Sequence, residues 1–246
     1  MGYFWKPLIL AVLTSAAGCQ YMRIAEVFPT IQGEGLLTGV PSLFIRVSGC
    51  NLRCRWCDTP YTSWSPEGEE WSVTRLMEWV RGYPSYRHVV LTGGEPLLFP
   101  ETVSLSKELR QAGLHITVET AGTVYQGVEC DLMSISPKLA NSTPDDPVWS
   151  IRHEERRLQP VVLRRLTREF AHQLKFVVQS PEDLPEIQKI QATCGTPNDR
   201  VLLMPEGVDV ETLQERSTWL VELCKDFGYR FTPRLHVLLY GHRRGV

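Results

Sequence analysis

Short apolar runs rich in β-branched residues alternate along the chain with longer segments whose apolar residues recur at helical spacing. The short runs predict strands at 42–47, 88–92, 114–119, 132–136, 173–178, 200–204 and 234–239. The longer segments predict helices at 73–82, 101–112, 158–171, 182–193 and 210–227. Such alternation is typical of an α/β fold with a parallel sheet or barrel. The turn-rich stretch 141–149 predicts a long loop near the functional site.

The composition is that of an ordinary globular protein. The chain has 246 residues, of which 43% are hydrophobic and 22% are charged, so it can bury one substantial core. Its formal net charge is −2 and it contains no basic block, which argues against a nucleic-acid partner. We interpret the charged run R-H-E-E-R-R at 152–157 as a solvated helix face.

The N-terminal segment differs from the rest of the chain. Lys6 is followed by an apolar run of about ten residues and then by Gly18-Cys19, a pattern that resembles a signal peptide with a lipoprotein-like cleavage site. The run is too short to span a membrane. The alternative is a start codon assigned too early, with Met22 as the true first residue. We favour this alternative and expect an N-terminal extension at 1–21, one domain at 22–246 and no membrane partner.

Three cysteines stand close together in one short segment. Cys50, Cys54 and Cys57 form a C-x3-C-x2-C triplet just after a predicted strand. A [4Fe-4S] cluster is usually held by four cysteines, so three thiolates leave one iron open to another ligand. The alternatives are a zinc knuckle and three unrelated buried thiols, but zinc sites usually combine two separated pairs of Cys or His ligands. The triplet therefore predicts an iron–sulfur site with one open iron.

An iron–sulfur site requires a reducing compartment, so we expect a cytoplasmic protein. The scattered Cys130, Cys194 and Cys224 lack the spacing of metal ligands. We interpret them as core thiols rather than as disulfide partners.

Further motifs follow other predicted strands at their carboxyl ends. Gly93-Gly94-Glu95 follows the strand at 88–92, Glu119-Thr120 ends the next strand, and Pro137-Lys138 follows the strand at 132–136. In a barrel of parallel strands, the loops at this rim build the active site. The motifs therefore predict one shared site with the cysteine triplet.

Four sequence words around the triplet identify a family. They are E-V-F-P-T-I-Q-G-E-G at 26–35, L-T-G-G-E-P at 91–96, V-E-T-A-G-T at 118–123 and S-P-K at 136–138. From Met22 to Val246 the chain resembles the 7-carboxy-7-deazaguanine synthase family of radical S-adenosylmethionine (SAM) enzymes. The resemblance implies an α/β fold that is an abbreviated and distorted radical SAM partial (β/α)6 barrel.

The resemblance implies two cofactors, a [4Fe-4S] cluster and SAM. Cys50, Cys54 and Cys57 would be the catalytic ligands of three irons, SAM would chelate the fourth, and reductive cleavage of SAM would yield a 5′-deoxyadenosyl radical. The family's cofactor-binding positions correspond here to Trp56, Cys57, Asp58, Gly94, Glu95, Ser136, Pro137 and Lys138. From the residues alone, Trp56 is equally suited to be a packing aromatic that shields the cluster. A lysine that follows a strand, as Lys138 does, more often simply extends into solvent.

Arg46 is a charged residue within the apolar strand L-F-I-R-V. Strands of a parallel sheet tend to be buried on both faces, so the guanidinium requires a partner. An intramolecular pair with Glu26 or Glu34 and a bidentate contact to a substrate carboxylate are equally compatible with the sequence. The resemblance favours the substrate and implies binding positions at Ile31, Gln32, Gly33, Arg46, Thr92, Glu119 and Val246.

The resemblance also implies a Mg²⁺ ion at Thr59. A hydroxyl oxygen is a ligand that Mg²⁺ accepts, although a single threonine equally serves as a cap or turn residue. The resemblance further places the chain terminus near the substrate, which is the reason for including Val246. The roles of His236, Tyr240 and His242 stay open.

The resemblance implies a lyase that converts 6-carboxy-5,6,7,8-tetrahydropterin to 7-carboxy-7-deazaguanine and ammonia, in the biosynthesis of queuosine and other 7-deazapurines. It also implies a homodimer and an electron donor such as flavodoxin or ferredoxin. One alternative is a glycyl-radical-enzyme activase, which shares the triplet and G-G-E-P but acts on a protein. Another is a non-enzymatic iron–sulfur protein that carries electrons, against which the missing fourth cysteine argues.

Overall fold

A computed structural model describes residues 21–246 of the chain. The strands in this part are β1 Tyr21–Ile31, β2 Pro41–Val47, β3 Glu69–Ser72, β4 His88–Gly93, β5 His115–Thr120, β6 Leu132–Ile135, β7 His172–Val178, β8 Val201–Pro205 and β9 Arg230–Phe231. The helices are α1 Val73–Arg81, α2 Glu101–Gln111, α3 Pro147–Arg157, α4 Pro160–Glu169, α5 Leu184–Cys194, α6 Val210–Phe227 and α7 Leu235–Tyr240. The extension expected at 1–21 lies outside the described residues, except for Tyr21 at the start of β1.

All these strands join one sheet, in the order β3-β1-β2-β4-β5-β6-β7-β8-β9. Every pairing from β2 to β9 is parallel, whereas β1 pairs antiparallel with both β2 and β3. Parallel neighbours require long crossover connections, and the helices supply most of them. The described residues therefore form the predicted α/β fold.

The main hydrophobic core lies between the parallel strands and the helices. Every residue of β7 is buried, as expected for a strand covered on both faces. A second, small apolar cluster of Leu52, Cys54 and Ala121 is bordered by Cys50, Trp56 and Cys57. The cysteine triplet is therefore packed into the fold rather than displayed on its surface. No helix among residues 21–246 is long and apolar enough to cross a bilayer.

The predicted strand at 234–239 is wrong. This segment forms helix α7, in which Val237 is buried and Leu238, Leu239 and Tyr240 are exposed. A short apolar run does not distinguish a strand from a helical turn. The last parallel strand is instead the two-residue β9.

Besides β9 and α7, two strands, β1 and β3, and one helix, α3, are absent from the prediction. A bulge between Ile24 and Glu26 interrupts the alternation of β1, and β3 is a short edge strand with the polar sequence E-E-W-S. Helix α3 begins inside the loop predicted at 141–149, because Asp146 caps it by accepting hydrogen bonds from the backbone N–H groups of residues 148 and 149. The charged run at 152–157 lies on this helix.

Candidate functional site

A cavity of about 440 Å³ opens at the carboxyl ends of the parallel strands. Its walls come from the end of β1, the segment that follows β2, the ends of β4, β5 and β6, and the C-terminal residues. The predicted convergence of the motifs at one site is therefore confirmed. The volume suits a small molecule.

Most of the residues predicted to form the site line this cavity. They are Ile31, Gln32, Gly33, Arg46, Cys50, Cys54, Trp56, Cys57, Asp58, Thr59, Thr92, Gly94, Glu119, Ser136, Lys138 and Val246. Glu95 and Pro137 are the exceptions, since neither lines the cavity. The structure thus places both groups of predicted positions, those for cofactor and those for substrate, around one space.

The three thiols of the triplet are free, and all three cysteines line the cavity. The backbone N–H of Leu52 donates to the Sγ of Cys50 at 3.4 Å, and the Sγ of Cys57 is 3.3 Å from the Oγ of Ser63. The indole N–H of Trp64 donates to the carbonyl of Cys54 at 3.0 Å. The loop is therefore held in place by its own neighbours.

Burial disfavours the thiolate form of two cysteines of the triplet when no metal is bound. Burial raises the pKa of Cys50 to about 11 and that of Cys54 to about 12, because a bare thiolate is costly in an apolar environment. Coordination to iron stabilises the deprotonated form. The set of three soft donors on one loop therefore fits a [4Fe-4S] cluster, whose irons each take a separate ligand.

His153, on α3, connects the cysteine loop to the loop after β6. It is fully buried; its Nδ1 accepts from the backbone N–H of Arg53 at 3.2 Å, and its Nε2 lies 2.9 Å from the Oγ of Ser142. Because the Ser142 hydroxyl donates to the carbonyl of Leu139, its oxygen accepts a hydrogen bond from the Nε2–H of His153. These contacts require the neutral imidazole, and burial lowers the pKa of His153 to about 4.

We expect acid to destabilise the fold through His153. The unfolded chain takes up this proton near pH 6.5 and the folded chain only near pH 4, so stability present above pH 6.5 is lost as the pH falls towards 4. Between pH 7 and pH 5 this residue should contribute a loss of about 2 kcal/mol in the free energy of unfolding. Urea denaturation of the cluster-free protein at pH 7 and at pH 5 measures this loss in the free energy of unfolding.

The matched variants are His153→Gln, which removes the titrating group, and His242→Gln, which removes an exposed histidine. The free energy of unfolding of His153→Gln should change less between pH 7 and pH 5 than that of the wild type, and His242→Gln should match the wild type. Equal pH dependence in His153→Gln and the wild type would disprove the role of the neutral imidazole.

The glycines of G-G-E-P bring two segments of backbone together. Gly93 has a φ of 133°, and a Cβ there would overlap the backbone of Val47. A Cβ on Gly94 would overlap the carbonyl of Gly49, just before the triplet. We expect these glycines to allow close approach of a ligand, and the structure shows that they also allow close approach of the cysteine loop.

Glu95 is fully buried and hydrogen-bonded within the chain. One carboxylate oxygen accepts from the hydroxyl of Thr120 at 2.8 Å and from the N–H of Leu97 at 3.1 Å, and the other accepts from the N–H of Ala121 at 2.8 Å. Burial raises its pKa despite these bonds. Glu95 thus joins the ends of β4 and β5, and its contact with the SAM ammonium group stays a prediction.

The predicted cofactor positions in the segment after β6 lie close to those on the cysteine loop. The Nζ of Lys138 donates to the Oγ of Ser136 at 2.8 Å and lies 5.7 Å from the ring centroid of Trp56. The indole N–H of Trp56 donates to the carbonyl of Asn141 at 3.2 Å. The loop at 141–146 therefore packs against the cysteine loop, near the site as predicted.

Arg46 reaches the cavity from β2 and has a partner within the chain. Its Nε donates to the Oε1 of Glu26 at 2.6 Å, and the hydroxyl of Tyr61 donates to the same oxygen at 2.8 Å. The partner is thus Glu26 and not Glu34. Within residues 21–246 the two terminal Nη groups of Arg46 form no hydrogen bond, and Arg46 lines the cavity. Its binding of a substrate carboxylate stays a prediction.

A buried ionic network lies beside Arg46. Glu34 accepts from the Nζ of Lys175 at 2.5 Å and from the Nε of Arg234 at 3.1 Å. Arg234 also pairs with Asp58, and Lys175 lies 3.5 Å from Glu119. Although burial alone would raise the pKa of Glu34, the two cations hold it well below its usual range. These charges fix the positions of Asp58 and Glu119 in the cavity wall.

Four charged or polar residues of the cavity wall are missing from the sequence prediction of the site. They are Lys175, Arg234, Tyr61 and Arg244, all of which line the cavity. Lys175 offers the same signal as Arg46, since it is a charge within the apolar strand H-Q-L-K-F-V-V. The signal identifies the lysine but not its partners, which come from distant segments of the chain.

The C-terminal residues close one side of the cavity. Arg244 contacts Glu26 at 3.4 Å and Glu67 at 2.8 Å, and its guanidinium lies 3.8 Å from the ring centroid of Tyr61. Val246 lines the cavity, as do His236 and His242, whereas Tyr240 does not. The chain terminus therefore lies in the cavity wall, and its contact with a substrate stays a prediction.

Thr59 lines the cavity next to the cysteine loop, and its Oγ1 is 3.9 Å from the Sγ of Cys57. In the part of the chain that the structure describes, no group of three or more His, Cys, Asp or Glu side chains is arranged around the position of a single metal ion. Mg²⁺ at Thr59 would therefore take most of its ligands from outside the protein, as water and substrate oxygens.

Comparisons with known proteins agree with this geometry. Residues 44–139 match the model of the radical SAM superfamily. A 7-carboxy-7-deazaguanine synthase from Rhodopirellula baltica is 47% identical over 229 residues, which cover 92% of this chain and 89% of the relative. A 7-carboxy-7-deazaguanine synthase from Halobacterium salinarum is 45% identical over 232 residues, with 89% and 90% covered.

A solved structure supports the same assignment. The crystal structure of QueE from Escherichia coli matches with a TM-score of 0.66 and 27% sequence identity, and the match covers 88% of this chain and 95% of that one. Together with the superfamily match, this similarity confirms the expected fold, an abbreviated radical SAM partial (β/α)6 barrel.

Proposed function

Because the chain belongs to the 7-carboxy-7-deazaguanine synthase family of radical SAM enzymes, we propose that its cavity converts 6-carboxy-5,6,7,8-tetrahydropterin to 7-carboxy-7-deazaguanine with release of ammonia. The single observation that carries this proposal is the set of residues that line the cavity. Three free thiols line it together with a guanidinium and a carboxylate, Arg46 and Glu119. The product would enter the biosynthesis of queuosine and other 7-deazapurines.

Membership of the family implies a [4Fe-4S] cluster and SAM. Cys50, Cys54 and Cys57 would hold the cluster, which, when bound with SAM, supplies a carbon radical that abstracts hydrogen from the substrate. Trp56, Gly94, Ser136 and Lys138 would surround SAM, since they line the cavity beside the thiols. The protein's part in the reaction is to bind and orient two small molecules.

The polar side chains that line the cavity are suited to bind a carboxylated pterin. The unpaired Nη groups of Arg46 would bind the substrate carboxylate, and Glu119 would accept hydrogen bonds from the guanidine-like edge of the pterin. Thr92 donates to the second carboxylate oxygen of Glu119 at 2.7 Å, which fixes the orientation of that group. Gln32 donates to the Oγ of Ser42 at 3.0 Å, so the Q-G-E-G segment is held rigidly against β2.

Further parts of the proposal rest on the family alone. They are Mg²⁺ at Thr59, a homodimer, a cytoplasmic location and a reductant of the flavodoxin or ferredoxin type. The activase alternative would require a protein segment to enter the cavity. The names of the relatives and the charged side chains that line the cavity both favour a small carboxylated substrate.

We expect Arg46→Gln to weaken substrate capture. Loss of a charge-assisted bidentate contact costs roughly 1.5 to 3 kcal/mol, so KM for the pterin should rise roughly ten- to a hundredfold. Glu26 keeps Tyr61 and Arg244 as partners, so the fold and the cluster content should persist. Steady-state kinetics under anaerobic conditions measure the change.

The matched control is Arg23→Gln, which removes an exposed arginine of β1 and should leave KM unchanged. Substrate-independent cleavage of SAM should be equal in both variants. An unchanged KM in Arg46→Gln would refute the assignment of the carboxylate site.

A further inference from the structure

Helix α3 covers the outer side of the cysteine loop and forms one surface with it. The guanidinium of Arg53 lies 4.3 Å from the ring centroid of Trp149, and that of Arg152 lies 5.4 Å from the same ring. Arg156 donates from Nη1 to the carbonyl of Asn51 at 3.3 Å. We call this region the arginine surface; its members are Arg53, Arg55, Arg152, Arg156, Val148 and Ile151.

The positive charge of the arginine surface is not neutralised within the fold. Over residues 21–246, Arg53, Arg152 and Arg156 form no ion pair with a carboxylate, and the partner of Arg55, Asp145, is 3.6 Å away with a side chain that is 86% exposed. Such an exposed pair is worth little. Arg53 and Arg156 bond only to backbone carbonyls of the cysteine loop, so their charges have no carboxylate counter-charge among the described residues.

Most acids of α3 and its entry loop have partners other than Arg53, Arg152 and Arg156. Asp145 lies beside Arg55, Asp146 accepts the N–H groups at the start of the helix, and Glu154 pairs with Thr143 and Arg157. Glu155 is a further exposed acid on the helix. The three arginines without a carboxylate partner are therefore available to pair with negatively charged groups of another molecule.

The arginine surface also displays apolar side chains. Val148 is 56% exposed and Ile151 is 64% exposed, although apolar residues of a helix normally face the core. Exposed aliphatic residues next to unpaired arginines, with few acids, are typical of a protein–protein interface. A small anion would leave Val148 and Ile151 uncovered, so the features together favour a protein as the occupant.

The position of the surface indicates the kind of protein. The cysteine loop lines the cavity for SAM and substrate, and the arginine surface adjoins the same loop through Arg53 and through the contact of Arg156 with Asn51. A protein donor bound there would lie next to the triplet without entering the cavity. We propose that the arginine surface docks an acidic one-electron carrier protein. In the productive complex the carrier is oxidised by one electron and the cluster is reduced by one. This inference rests on the proposed function, because it requires a cluster on the triplet.

The test compares a protein reductant with a small one. A reduced bacterial flavodoxin, which is acidic, and dithionite each drive SAM cleavage by the cluster-loaded enzyme. For Arg152→Glu, we expect the flavodoxin concentration at half-maximal rate to rise roughly tenfold at low salt, while the rate with dithionite stays equal to that of the wild type. Ile151→Ser should show a smaller rise, and Arg152→Lys should retain most of the affinity.

A direct binding measurement accompanies the kinetics. Fluorescence anisotropy of labelled, oxidised flavodoxin with the cluster-loaded protein should show the same weakening in Arg152→Glu, and binding by the wild type should weaken as salt is added. The matched control, Arg81→Glu, changes an exposed arginine on α1 and should behave as the wild type.

Three outcomes would overturn the inference. They are an Arg152→Glu variant with wild-type dependence on flavodoxin, an equal loss of rate with both reductants, and displacement of flavodoxin by a short oligonucleotide at the same concentration as by unlabelled flavodoxin. A wild-type protein that binds no cluster would instead refute the proposed function, so the two failures are distinguishable.

Discussion

Replacing Cys54 with alanine is expected to abolish both the iron–sulfur cluster and the cleavage of SAM. The triplet supplies three thiols to four irons, so the loss of one leaves two irons without a cysteine ligand. The loop itself should survive, because Trp64 and His153 hold its backbone. Anaerobic reconstitution followed by iron and sulfide analysis, with electron paramagnetic resonance of the reduced sample, measures the loss.

The matched control is Cys130→Ala, which removes a cysteine outside the cavity. It should bind a full cluster and cleave SAM at the rate of the wild type. Full iron and sulfide content in Cys54→Ala would show that the triplet is not the site of the cluster.

The second large effect is expected at Lys175. Its ammonium group is buried between Glu34 and Glu119, and burial would lower its pKa, but these acids raise it above its usual value. Lys175→Met leaves buried carboxylates short of a partner, with Arg234 still bound to Glu34. The free energy of unfolding should fall by about 3 kcal/mol, and Tm by about 6 to 12 °C, as measured by calorimetry of the cluster-free protein.

Two further variants isolate the cause. Lys107→Met changes an exposed lysine on α2 and should alter the free energy of unfolding by less than about 0.5 kcal/mol. The double variant Glu34→Gln/Lys175→Met should recover part of the lost Tm, because it also removes a buried charge. A wild-type Tm in Lys175→Met would contradict the buried network.

The sequence predicts regular elements well where local signals agree. Helix α6 has the predicted bounds, because Asp209 caps its first turn and Gly228, with a φ of 65°, ends it. The predictions fail where the regular pattern breaks, as at the bulge of β1, or where a segment is too short for its periodicity to decide, as in α7. In both cases contacts with distant parts of the chain determine the conformation.

The same contrast holds for the site. The cysteine triplet and G-G-E-P can be recognised in the sequence, because the residues that carry their chemistry are close together in the chain. The ionic network cannot be recognised there, because Lys175 is 141 residues from Glu34 and Arg234 is 200 residues from Glu34. The sequence also leaves the partner of Arg46 open between Glu26, Glu34 and the substrate, and the structure shows Glu26.

The central claim is that one cavity joins radical SAM chemistry to a carboxylated pterin. Mass spectrometry of an anaerobic reaction with the cluster-loaded enzyme, SAM, Mg²⁺, dithionite and 6-carboxy-5,6,7,8-tetrahydropterin tests it most directly. We expect consumption of the pterin and formation of 7-carboxy-7-deazaguanine, with one ammonia released for each molecule formed. An enzyme with an intact cluster that cleaves SAM but yields none of this product would contradict the claim.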